Sequence, residues 1–279
     1  MMFVVTLVAL LIERFFDWSH LRNWQWYIIF QQMLKKKLPG APPYLALAFA
    51  VLPLILVLMA IQFLIGGMLY GFVKLLFQLL IFLYCLGPRN FWADTFSSIN
   101  ILREGDHVAL SEKLKISFQA HLDTQDLNQQ FVGPVFVAAN RRIFAVLFWY
   151  CILGIFGALL YRMISLSATD GTSQEKTPEF AKCAQVMMGF FDWIPIRLLT
   201  FIFALGGHFV QVFSCWGKKV GSGFSYHDAF VTECGMAALG VDQSKPLPAN
   251  GVLENSAVYL FDRVLVITLI GIGLFNFLI

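Results

Sequence analysis

A chain of 279 residues with 58% apolar and only 13% charged residues lies far from the soluble average of about 25% charged. Its mean hydropathy of +0.71 excludes a water-soluble globular domain and implies an integral membrane protein. The net charge of +3 is too small and too scattered for nucleic-acid binding.

The opening run, Met1–Ile12, is apolar, but its basic residues follow the apolar core and no small-x-small cleavage pattern comes after, so it is not a signal peptide. It is short for a span and predicts a short first helix, extended to Phe16, that is either re-entrant or a thin crossing. Longer apolar runs follow at Tyr44–Leu64, Met68–Leu86, Ile143–Leu166, Ile194–Ser214 and Arg263–Ile279. They predict an all-α polytopic membrane protein, with about five long transmembrane helices and the short N-terminal one. Gly66-Gly67 reads as a tight turn joining two of these runs, and Pro53 as a kink inside its helix. The whole chain, 1–279, reads as a single membrane domain with cytoplasmic loops 87–142 and 215–262.

Asp192-Trp193-Ile194-Pro195-Ile196-Arg197 is a polar entry to an apolar run. Asp192 suits an N-cap, and Pro195 a first turn whose amides have no intrahelical partner. Arg162 and Arg197 are expected to pair with Asp192 or with free carbonyls, and an Asp192–Arg197 clamp follows from their spacing.

Orientation comes from counting lysines and arginines in the loops. Residues 13–43 carry five, 87–142 six and 215–262 three, whereas 167–193 carry two against four acids. The three basic loops fall on one side, which should be the cytoplasm. Lys74 is near enough to the Gly-Gly end of its run to snorkel, with an interior polar site as the alternative.

In the first large loop, Asn90–Ile101 and Asp106–Phe118 have the spacing of amphipathic surface helices, with Val108, Leu114 and Phe118 facing inward. Arg141-Arg142 stands where headgroups or a phosphate would sit. In the second loop, Glu233–Leu239 predicts a helix stopped at Gly240, and Lys245–Gly251 a rigid, then tight, loop. His227 beside Asp228 is a local histidine–acid pair and reads as a solvated turn pair. Cys85, Cys151, Cys183, Cys215 and Cys234 have no metal-ligand spacing and read as free thiols. No Walker-type, Gly-x-Ser-x-Gly or His-Glu-x-x-His motif occurs, and Gly217–Gly223 reads as a flexible glycine-rich loop.

Three blocks carry a family resemblance. Asp192–Leu198 followed by an apolar helix ending near Gly206-Gly207-His208-Phe209, Phe144–Tyr150 running on to Gly154 and Ala158–Arg162, and Glu13-Arg14 resemble the AmpE branch of the CobD/CbiB/AmpE family. Together these blocks span about half the chain. Glu13, Arg14, Arg162, Asp192, Pro195 and Arg197 are the signature positions. Arg141, Arg142, His227, Asp228 and Glu233 are candidate cytoplasmic contacts for a ligand or for headgroups.

The resemblance implies an accessory or signalling protein acting on β-lactamase induction. Its expected partners are the lipid bilayer and an AmpD-type amidase or another component of cell-wall recycling. The rival is a CbiB-like enzyme, which joins an amine to a corrinoid carboxylate with ATP. That branch has acids in a Glu-Asn-x-x-Asp segment and in an Asn-x-x-Asp pair. This chain has Ala138-Ala139-Asn140-Arg141-Arg142 at the first place and Met163-Ile164-Ser165-Leu166-Ser167 at the second. Losing those acids removes the carboxylates that would hold Mg²⁺ against phosphates. Asp228, Glu233 and Gly235–Gly240 echo a further stretch of the enzyme branch in degraded form. The chain therefore reads as non-enzymatic, with no catalytic residues, metal or cofactor. A transporter is the weaker third class, because no inverted repeat is seen.

Overall fold

The computed structural model describes residues 2–16, 18, 22–38, 40–66, 71–87, 89–118, 131–168, 178–221, 227–241 and 251–278. The described elements are helices throughout. In chain order they are α1 (Met2–Phe15), α2 (Gln25–Lys37), α3 (Pro43–Gly66), α4 (Phe72–Cys85), α5 (Phe91–Glu104) and α6 (His107–Phe118). Next come α7 (Val132–Ala139), a π-helical turn (Asn140–Phe144), α8 (Ala145–Leu153) and α9 (Ile155–Ala168). The last four are α10 (Pro178–Gly206), α11 (Phe209–Lys219), α12 (His227–Ala238) and α13 (Val252–Leu278). Four helical runs are long and apolar enough to cross a bilayer: Pro43–Leu64, Val132–Leu153, Glu179–Gly206 and Val252–Leu278. Phe72–Cys85 and Ile155–Ala168 are shorter apolar helices.

The described residues of the five long apolar runs are helical apart from the breaks below, and several boundaries differ from the sequence reading. The Ile143–Leu166 run is divided at Gly154, whose φ of +66° suits glycine and breaks the regular helix. The bend is sharp enough that a Cβ on Gly157 would strike the backbone of Trp149. The Ile194–Ser214 run is divided too, α10 ending at Gly206 and α11 starting at Phe209. The final helix begins at Val252 rather than Arg263.

The entry at Asp192 is the main correction. It is not a helix start, because α10 begins at Pro178 with Glu179 in its first turn, a pattern that favours initiation. Asp192 is therefore an interior helical residue, not an N-cap, and it is buried. Pro195 also lies inside the helix. A proline there leaves the carbonyl four residues earlier without its amide donor. That carbonyl belongs to Phe191, and the Trp149 indole Nε1 donates to it at 3.1 Å.

Contacts divide the chain into two compact units. The first comprises Met1–Pro88 with Ala145–Asp192, the second Arg89–Phe144 with Trp193–Ile279. In the first, α1 packs on α4, α2 on α3, and α9 on both α3 and α4. Trp24, Tyr27, Leu47, Val51, Met163 and Ala184 form its core cluster. Pro53 sits within α3, and Lys74 is half-buried in the first turn of α4.

In the second unit, α12 packs on α7 and α11, and α13 on α5 and α7. The α7–α12 contact is set by two glycines. A Cβ on Gly133 would meet the Thr232 side chain, and one on Gly235 would meet the Phe136 ring. Phe136 in turn packs on Phe203 with ring centroids 5.2 Å apart. The two amphipathic helices expected in this region are α5 and α6. Asn90 caps α5 by accepting from the Ala93 amide, and Asp106 accepts from the Ala109 amide at the start of α6. Leu114 is buried as expected, but Val108 is exposed and Leu110 takes the inward position.

Helix α12 stops at Gly240, whose φ is +70°, as the sequence predicts. Gly217, Lys218 and Lys219 close α11 as helix rather than as a flexible loop. Residues 67–70, 169–177, 222–226 and 242–250 lie outside the described residues. So do the Gly67 turn, most of the loop around Lys176, Tyr226 and the Lys245–Asn250 segment.

Candidate functional site

The π-helical turn Asn140–Phe144 is the centre of the polar site in the second unit. Such single turns insert an extra residue and re-aim the side chains beside it. Arg142 is buried, and its Nη1 donates to Asp94 Oδ2 at 2.9 Å, with both side chains about 10% exposed. Arg142 Nη2 donates to the Ser117 carbonyl, and its guanidinium lies 5.3 Å from the Phe118 ring centroid. Lys113 approaches the other Asp94 oxygen at 3.4 Å. Asp94 also stands in the first turn of α5, where the helix dipole favours a negative charge. This is a buried and multiply held charge pair, so Arg142 is not the headgroup contact expected for it.

Arg141 points the other way. Its Nη2 donates to both oxygens of Asp228, at 3.0 and 3.1 Å. The pair is substantially exposed, so solvent screens it and its contribution to stability is small. His227, next to Asp228, is buried rather than solvated. Burial lowers its pKa, the nearby charges of Arg197 and Arg141 add to that, and Asp228 opposes it. It is held as the neutral imidazole near pH 7. At the end of α11, Lys219 pairs with Glu233 of α12. The hydrogen bond to Glu233 raises the Lys219 pKa.

Arg197 is 9% exposed. Its Nε donates to the Val220 carbonyl at 2.8 Å and its Nη1 to the Trp193 carbonyl at 3.0 Å, while the guanidinium stacks 4.1 Å from the Trp193 ring centroid. Trp216 Nε1 donates to the Arg197 carbonyl at 3.3 Å. Val220 directly follows α11, so Arg197 serves the polar end of that helix. Arg263 does the same for α10, donating to the Gly206 carbonyl at 3.1 Å.

The remaining signature residues lie in the first unit and form a separate polar set. Glu13, 1% exposed, pairs with Arg22, 4% exposed, which also donates to the Gly87 carbonyl at 3.0 Å. Arg14 is half-buried in the last turn of α1. Arg162 Nε donates at 2.6 Å to the carbonyl of Cys85, the last residue of α4. Asp192 accepts from the Tyr161 hydroxyl at 2.7 Å. Ser167 joins the hydroxyl of Tyr27 and the amide of Gln31 at 3.0 and 2.7 Å.

Sequence reasoning missed Asp94, Lys113 and Arg22, the partners of Arg142 and Glu13. Asp94 and Lys113 stand in a mixed-charge loop with no motif, and only the tertiary fold brings them to Arg142. Among the described residues, no group of three or more histidines, cysteines or acids is placed to hold a metal ion.

Long apolar helices, with charged side chains buried against helix ends and against one another, define a multi-pass helical membrane protein. Residues 1–243 match the AmpE family, described as regulatory signalling modulator protein AmpE, and the chain belongs to that family. Its curated relatives include a cobalamin biosynthesis protein CobD from Chromobacterium violaceum. That protein is 29% identical over 146 residues, which is 50% of this chain and 46% of the relative. A CobD from Stutzerimonas stutzeri is 26% identical over 141 residues, or 50% of this chain and 43% of that protein. A probable CobD from Pyrococcus furiosus is 33% identical over 88 residues, 31% of each chain. The chain thus spans less than half the length of these relatives. No solved structure matches it.

Proposed function

We propose that this chain is an inner-membrane regulatory protein that modulates β-lactamase induction in step with cell-wall recycling. The carrying observation is the match to the AmpE family over residues 1–243. In this reading, the polar cluster of Arg141, His227, Asp228 and Glu233 faces the cytoplasm and receives the regulatory signal. That signal is a small recycled cell-wall metabolite or a component such as an AmpD-type amidase. The exposed Arg141–Asp228 pair supports this role, since a screened surface pair can exchange its partner at little cost. The neighbouring Arg142 is held by Asp94 in a buried pair, which fixes the turn that carries Arg141.

The second reading, a CobD-like biosynthetic enzyme, is favoured by the similarity to CobD proteins over half the chain. Against it stand Asn140-Arg141-Arg142 and Ser165-Leu166-Ser167, where the enzyme branch has acids. The nearby carboxylate of Asp94 is occupied by Arg142 and Lys113, which leaves it poorly suited to hold Mg²⁺ against phosphates.

Two measurements separate the readings. Deleting the gene should change β-lactamase induction by a β-lactam. Arg141→Ala and Asp228→Ala should reproduce that change while the protein stays at normal levels in the membrane. Unchanged induction on deletion, together with restored corrinoid synthesis in cells lacking the CbiB-type enzyme, would replace the regulatory reading with the enzymatic one.

A further inference from the structure

Cys215 lies on α11 and Cys234 on α12, and their Sγ atoms are 3.3 Å apart. The two helices pack side by side, so the thiols face each other across a helix–helix contact rather than within one flexible loop. A disulfide needs the sulfurs at about 2.05 Å, so closure calls for a movement of about 1 Å. Cys215 is half-buried and Cys234 is buried, so Cys215 is the more open of the two to a small reagent. The Lys219–Glu233 ion pair adjoins both, four residues beyond Cys215 and next to Cys234.

We propose that Cys215 and Cys234 are a modification site, a dithiol that a small hydroperoxide oxidises to a disulfide joining α11 to α12. Cys215 attacks the peroxide: its sulfur forms a bond to one oxygen, the O–O bond breaks, and water leaves, so that Cys215 becomes a sulfenic acid. The Cys234 sulfur then attacks the Cys215 sulfur, the S–O bond breaks, and a second water leaves. In sum, two thiols and one hydrogen peroxide give one disulfide and two waters. Two electrons pass from the sulfurs to the peroxide oxygens. Burial raises the Cys234 pKa, which makes it the poorer first nucleophile and leaves the first attack to Cys215. Cys234 gives up its proton as its sulfur attacks the sulfenic acid 3.3 Å away. The disulfide ties the end of α11 to the helix that carries His227, Asp228 and Glu233, and so fixes the polar cluster in one arrangement.

The test uses the full-length chain in detergent, reduced and then exposed to equimolar hydrogen peroxide. Thiols are alkylated and peptides are mapped by mass spectrometry. A linked Cys215–Cys234 peptide is expected, with Cys85, Cys151 and Cys183 still alkylated as internal controls. Cys234→Ser should stop at a Cys215 sulfenic acid that dimedone traps, and Cys215→Ser should leave Cys234 reduced. The oxidised wild-type chain should melt about 5 °C higher than the reduced one, as a loop-closing bond does, with no shift in either variant. The proposal is overturned if all five thiols remain alkylated, or if links form between chains. It is equally overturned if oxidation falls on the other cysteines first. Should a variant fail to fold, the wild-type peptide map alone decides.

Discussion

Trp149 donates its indole N–H to the Phe191 carbonyl at 3.1 Å, the acceptor that Pro195 leaves open inside α10. Trp149 belongs to one of the blocks that carry the family resemblance and Phe191 directly precedes another, although 42 positions separate them. The proline removes one intrahelical bond, and a side chain from another helix replaces it. Trp149→Phe should leave that carbonyl without its donor and cost about 1–3 kcal/mol. Pro195→Ala supplies an amide in its place, so the double variant should recover part of the loss. Thermal melts of the four forms in detergent check this, and purely additive losses would count against the relationship.

The buried Arg142–Asp94 pair makes a second prediction. Removing one partner strands the other charge, at a cost of about 3–5 kcal/mol. Arg142→Met and Asp94→Leu should each lower the melting temperature sharply. The double variant should be more stable than either, because neither buried charge of the pair is then stranded and the more exposed Lys113 can turn to water. A double variant as unstable as the sum of the two would mean that the pair is not coupled.

His227 gives the chain a defined acid sensitivity. Its folded-state pKa lies below the usual value of about 6.5, mainly through burial and next through Arg197. Above that usual value the imidazole is neutral in both states, and its contribution to stability is complete. As pH falls from there toward the lowered folded value, the unfolded chain takes up the proton first and stability is lost. Melting between pH 8 and 5.5 should show this loss, and His227→Gln should flatten it. An unchanged profile in the variant would assign the acid sensitivity to other groups.

Asp192, for which the sequence suggests a clamp with Arg197, has the Tyr161 hydroxyl as a partner. The hydroxyl-to-carboxylate bond is 2.7 Å long and buried, and a bond to a charged group contributes about 1.5–3 kcal/mol. Tyr161→Phe should destabilise the chain by that order, whereas Arg197→Ala should act independently of it. Strong coupling between Asp192→Ala and Arg197→Ala in a double-mutant cycle would restore the clamp.

The helical membrane architecture was legible because apolar runs need no tertiary information to be recognised. Helix boundaries were less so. Asp192-x-x-Pro195 has the chemistry of a helix start, but the upstream segment through Ala184, Met187 and Met188 favours helix as well, and packing carries it through. Gly154 and Gly207 interrupt runs whose hydropathy is continuous. At the candidate site, Arg141, Arg142, His227, Asp228 and Glu233 stood out as charges in an apolar chain. Their pairings did not, because the Arg142–Asp94 contact joins positions 48 apart and the Arg141–Asp228 contact positions 87 apart.

The orientation of the chain is tested apart from its fold. Fourteen lysines and arginines in residues 13–43, 87–142 and 215–262 against two in 167–193 predict that the three basic segments face the cytoplasm, although Arg141 and Arg142 of that count lie within the helical run Val132–Leu153. An alkaline-phosphatase fusion should be active at Thr172 and inactive at Gly221. The reverse pattern would invert the map and move the Arg141–Asp228 cluster to the opposite face.

The contact between α7 and α12 has a consequence for inheritance. Gly133 makes room for Thr232, and Gly235 makes room for Phe136, so each helix holds both a notch and the knob for its neighbour's notch. Sliding either helix by one residue would drive both knobs into backbone at once. Neither notch can therefore be filled by a single replacement without a smaller knob opposite. Across related sequences, 133 with 232 and 136 with 235 should change as matched pairs, each keeping large against small.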